Sequence, residues 1–159
     1  MNRSDMVTAA GMGAMAGMRA LSAPMFLSQK LSEDGIEAKA SRMETILASS
    51  TISRVLPLLA LGEFVFDKIP GMPPRIARSG LIVRVISGAF VGAAVARHQK
   101  VSVLGLAVVG AAASLASSFA LYAARQFVTE RLHVPNIVAG FLEDALVASA
   151  GTRLTAAMG

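Results

Sequence analysis

The chain has 159 residues, 54% of them hydrophobic and only 16% charged, with a mean hydropathy of +0.60. Soluble domains carry about 25% charged residues, and a chain this short has too much surface per volume to hide the apolar surplus in one core. A bilayer as solvent is the economical expectation, and no cysteine is present for disulfides or thiolate metal sites.

The net charge of +5 is not a nucleic-acid signature. The basic residues punctuate apolar runs instead of clustering, as the flanking anchors of membrane helices do. His98 and His133, the two histidines, both fall in predicted loops, so no metal cage and no cofactor is expected.

Five hydrophobic segments follow one another. The first, 6–27, is rich in small residues and carries Gly13-x-x-x-Gly17, a spacing that lets another helix approach closely. Its start resembles a signal peptide, but the run has the length of a full span and others follow, so an uncleaved helix is expected. Arg19 lies past its midpoint, and Pro24 predicts a kink or an end. Residues 28–45 form a polar loop. From about Ala38 to Leu47, Ala40, Met43, Ile46 and Leu47 recur on one face of a short helix that suits a membrane surface.

The second segment, 46–67, is ambiguous. Read whole it crosses; read from Val55 to Phe66 it is a half-crossing helix. It ends in Glu63 and Asp67, followed by a connector with Pro70, Pro73 and Pro74. The third, 81–96, holds Arg84 in its first turn and repeats the small-residue spacing at Gly88 and Gly92. The fourth, 101–124, is long and apolar, with Ser114, Ser117, Ser118 and Tyr122 as its polar content. The fifth, 134–150, opens on Pro135 and carries Glu143 and Asp144 at its middle. Met residues crowd the first segment; they suit packing gaps better than soft-metal ligation.

The first and fourth segments echo each other. Ala16, Ala20, Leu21 and Ala23 align with Ala116, Ala120, Leu121 and Ala123. LPLLALG at 56–62 resembles VPNIVAG at 134–140. With five crossings the two-helix units would be inverted repeats, an arrangement typical of secondary transporters; the competing explanation is that small apolar helices look alike. Positive charges balance between the two sides, which leaves orientation open. The balance is also compatible with an antiparallel dimer.

An ionisable side chain at mid-bilayer costs about 2.5–3.5 kcal/mol, so such residues face a partner, a cavity or a pathway. Depth arithmetic places Arg19 level with Asp144, and Arg84 level with Glu63 as a structural ion-pair candidate. The functional expectation is a polar centre of Arg19, Glu63, Asp67, Glu143 and Asp144 that binds an ion or small polar solute. The structural alternative is a set of ion pairs that only fix helix packing. No nucleophile elbow, phosphate loop or metal-ligand spacing is present, so no enzyme is expected.

The stretch GEFVFDKIPGMPPR, with GMRALSAP before it and FLEDALV after it, resembles a family of small bacterial membrane proteins. That family is described only as a domain of unknown function, with a G-E-x3-D-K-x-P-x-x-P-x-R signature. The likeness covers most of the chain except 28–42. It departs after Arg19, where the family pattern is bulkier than Ala20-Leu21-Ser22-Ala23. The resemblance implies a multi-pass protein of the bacterial inner membrane and no established activity.

The expectation is therefore an all-α polytopic membrane helix bundle, a single integral membrane domain over 1–159. It would act as a small transporter or channel-like permease, and a membrane scaffold is the alternative. Its partners would be the lipid bilayer, further copies of itself in a homo-oligomer, and an unknown ion or small solute.

Overall fold

A computed structural model of the chain describes residues 3–35, 40–66 and 76–158. Among these are seven α-helices and one π-helical turn, and no strand. The helices are α1 (Arg3–Met18), α2 (Ser22–Asp34), α3 (Arg42–Leu47), α4 (Ser50–Phe66), α5 (Arg78–His98), α6 (Val103–Gln126) and α7 (Asn136–Ala156). The π-helical turn, Phe127–Arg131, continues α6.

The centre of the molecule is a three-helix packing of α1, α5 and α6. Small residues set it. A Cβ built on Gly88 would lie 2.6 Å from the Gly110 carbonyl oxygen, and one on Gly13 would overlap the same Gly110 backbone. Both small-residue spacings read from the sequence thus converge on one helix, α6, at Gly110 and Ser114. Close backbone approach of this kind supplies van der Waals contact where side-chain burial cannot. The largest fully buried side chains around this centre include Met12, Met15, Val91, Val95 and Leu106. Met12 and Met15 therefore act as core filling.

Serine hydroxyls fasten the same three helices. Ser117 Oγ donates to Ala14 O at 2.8 Å, and Ser114 Oγ donates to Arg84 O at 2.7 Å. Ser118 Oγ lies 3.1 Å from Gly17 O and 2.8 Å from Ser114 O. The last carbonyls of a helix have no intrahelical partner, and here the Ser118 hydroxyl from α6 reaches one of them, Gly17 O.

The first hydrophobic segment is not one helix. It divides into α1 and α2 at Arg19–Leu21. Pro24 does not make the break. It sits in the first turn of α2, where its missing N–H is one of the donors a helix leaves unpaired anyway. The polar stretch is also partly helical, since α2 runs on to Asp34.

α3 starts on a capping box. Ser41 Oγ accepts from Glu44 N, and the Glu44 carboxylate accepts from Ser41 N at 2.8 Å. Each bond satisfies a backbone donor at the helix start. Ser41→Ala is expected to cost about 1 kcal/mol. In hydrogen exchange, the amides of Met43–Leu47 should open about fivefold more often.

Two helices, Arg78–His98 and Val103–Arg131, are long and apolar enough to cross a membrane, with mean hydropathy 1.8 and 1.9. α4 packs on α2, and α7 packs on α1 and α2. The outer faces of α4 to α7 expose large apolar side chains, among them Leu58, Ile86, Leu104 and Leu142.

Candidate functional site

The break between α1 and α2 creates a local problem. Turning the chain out of α1 at Arg19 frees backbone groups that cannot be left unpaired in an apolar medium. Arg19 N still reaches Met15 O at 2.8 Å. The next two amides turn away from α1, and both point at α4.

Glu63 answers them. Its Oε1 accepts from Ala20 N and its Oε2 from Leu21 N, both at 2.9 Å. These amides lie at the N-terminal end of α2, where the helix dipole favours a negative charge. The carboxylate therefore acts as a cap delivered from another helix. On the opposite side of the peptide chain, Ser87 Oγ of α5 donates to Ala20 O in a short hydrogen bond.

Arg19 is buried in the same knot. Its Nε and Nη2 donate to Asp144 Oδ1 of α7 at 2.9 and 2.6 Å, and its Nη1 lies 3.5 Å from Glu63 O. The Arg19 side chain is 4% exposed and the Asp144 side chain 17%. Charge-assisted bonds of this length hold both ends of the pair firmly.

Asp144 remains partly open because a groove reaches it. The groove has a volume of about 250 Å³ and is lined by Arg19, Ser22, Pro57, Ala60, Asp144 and Ala148, among others. Its walls are mostly apolar, so the ion pair is its polar end. Four elements meet there: the helix break, α2, α4 and α7.

Arg19, Glu63 and Asp144 are thus brought together. Glu143 is not part of the cluster. Adjacent helical residues point about 100° apart, and Glu143 turns to Arg125 near the end of α6, Oε2 lying 3.7 Å from Nη1. Glu63 spends both oxygens on backbone amides, and no ion pair joins it to Arg84. Arg84 is buried on α5, one turn before Ser87. Asp67, the fifth residue expected at this centre, lies outside the described residues.

Sequence reasoning missed Arg125 as a partner of Glu143 and Ser87 as a partner of the break. A signal for Ser87 was present: it lies one residue before the Gly88 spacing that packs α5 closely against α6. Among the described residues no cluster of acidic and histidine side chains has the makings of a metal centre.

Comparison with known proteins gives one family. The family model described as Domain of unknown function (DUF4126) matches residues 6–157. No curated protein and no solved structure matches the chain.

Proposed function

We propose that this chain, which belongs to the DUF4126 family, is a small polytopic membrane permease for an ion or small polar solute, in the bacterial inner membrane and working as an oligomer. Its site is the Arg19–Asp144 pair at the break between α1 and α2, with Glu63 holding that break. The observation that carries this is the open groove of about 250 Å³ ending on Asp144 and Arg19. A purely structural ion pair has no need of such access. Broken helices that present backbone amides and charged side chains beside a cavity are the way membrane transporters hold polar cargo. The exposed apolar faces of α4 to α7 suit contact with lipid.

The other reading is a membrane scaffold, and one observation favours it. Glu63, Asp144 and Glu143 each have a partner on another element, so the charges already account for one another as helix fasteners.

Flux in proteoliposomes, screened against protons, divalent cations and small anions, separates the two. Ala148 is exposed on the groove wall. Ala148→Phe would fill the groove and leave the Arg19–Asp144 bonds in place. A permease loses flux at least tenfold in this variant. Wild-type flux retained in Ala148→Phe, or no flux for any solute in the wild type, sinks the permease and leaves the scaffold.

A further inference from the structure

A second cavity lies away from the helix break. The end of α2, the start of α3 and the last turn of α5 enclose about 300 Å³. Its charged and polar lining is Asp34, Ser41, Glu44, Arg97, His98 and Lys100. The volume is at the low end for small-molecule pockets, which suits a small polar ligand.

The charges of the two walls are opposite and held apart. Glu44 and Asp34 stand on one side. Arg97 and His98, the last residues of α5, and Lys100 just beyond them stand on the other. The groups are near enough to influence one another. Partial burial pushes the Glu44 carboxyl up, but the Ser41 hydroxyl and amide bonds and the charges of His98 and Arg97 outweigh it. The net effect holds Glu44 below its ordinary value of 4.5. Yet no ion pair closes between Glu44 and either cation. The Glu44 carboxylate bonds Ser41 N and Ser41 Oγ at 2.8 and 2.7 Å, and Asp34 pairs with Lys30 at 2.8 Å along its own helix. The gap between the walls is the cavity.

A lone phosphate there would meet the carboxylates, and a lone ammonium would meet Arg97. A ligand carrying both charges on a short tether satisfies both walls, and specificity follows from the repulsion of each simpler ion. Position adds to this. The cavity sits at the end of α5 and beside the turn into α6, the two helices long and apolar enough to cross a membrane. On the membrane reading proposed above, that end is where lipid headgroups lie.

We propose that this cavity binds a phosphate joined to a primary ammonium, the chemistry of phosphoethanolamine, with the phosphate on Arg97 and His98 and the ammonium on Glu44 and Asp34. Arg97 supplies the planar donor fork that matches phosphate oxygens.

The test is native mass spectrometry of the full chain in detergent micelles. Phosphatidylethanolamine and phosphatidylglycerol are titrated separately, and soluble phosphoethanolamine is added as competitor. Arg97 is exposed, so Arg97→Gln leaves the fold alone. Glu44→Gln keeps the capping box, which accepts Gln as well as Glu. Phosphatidylethanolamine should be retained at least fivefold better than phosphatidylglycerol, and each variant should lower its retention at least fivefold. In Glu44→Gln the preference over phosphatidylglycerol should shrink. Displacement by soluble phosphoethanolamine identifies the headgroup alone as sufficient. Failure to displace assigns the site to the intact lipid. Equal retention of the two lipids by the wild type, or unchanged retention in either variant, overturns the proposal.

Discussion

Asp144→Asn is expected to destabilise the protein by about 3 kcal/mol, and Arg19→Met by clearly less. Removing one partner of a buried ion pair costs about 3–5 kcal/mol because the other charge is left without compensation. The two halves of this pair are not equally buried. The Arg19 side chain is 4% exposed, whereas that of Asp144 is 17% exposed on the groove. Without Arg19, Asp144 can be hydrated from the groove. Without Asp144, Arg19 stays charged in a more buried place, since a guanidinium keeps its proton. The low end of the range applies because Arg19 keeps its weaker contact with Glu63 O at 3.5 Å.

The double variant Arg19→Met with Asp144→Leu should return to within about 1 kcal/mol of the wild type, since a well-packed apolar pair often replaces a buried ion pair without loss. Denaturant unfolding in mixed micelles supplies the cycle. A double variant no more stable than Asp144→Asn would show that the pair is not the interaction at stake. A folded double variant also speaks to function: a permease with this site loses flux in it, and a scaffold keeps its assembly.

The sequence made the pair visible because depth along two segments can be counted. Arg19 and Asp144 each lie about three-fifths along a hydrophobic run, and they meet at 2.6 Å. The close packing was visible for a similar reason. Gly13 with Gly17, and Gly88 with Gly92, mark helix faces without side chains, and the only question left was which helix they face.

The break was harder to see. Arg19-Ala20-Leu21 contains neither glycine nor proline, and Pro24 drew attention to the wrong turn. What holds the break is Glu63, 42 residues beyond Leu21. A carboxylate read along a sequence suggests a cation as partner, so Arg84 was the natural expectation. Backbone amides become available as partners only where a helix ends, and that ending is itself a tertiary fact. The Arg125–Glu143 contact was hidden differently. Residues 125–133 read as a loop, but α6 passes into the π-helical turn Phe127–Arg131. The helix therefore continues past Arg125 where a loop was expected, and holds Arg125 within reach of Glu143 on α7.

The three-helix centre gives the second large effect. Gly110→Leu is expected to cost about 3 kcal/mol or more. Overpacking a core usually costs about 1–3 kcal/mol, because neighbouring side chains shift or change rotamer. At Gly110 the neighbours are backbone. An added Cβ would overlap the Gly88 carbonyl and come within 3.2 Å of Gly92 Cα. Neither can rotate away, so α5 and α6 must separate. Separation also stretches the serine bond that depends on the same spacing, Ser114 Oγ to Arg84 O at 2.7 Å. Gly62 on α4 is the control. A Cβ there meets nothing within 4 Å, so Gly62→Ala removes only the entropic cost of a mid-helix glycine and should stabilise by about 0.5–1 kcal/mol. The two substitutions should therefore move the unfolding midpoint in opposite directions. If Gly110→Leu unfolds at the wild-type midpoint, α5 and α6 are not in backbone contact there, and the convergence of both glycine spacings on α6 is wrong.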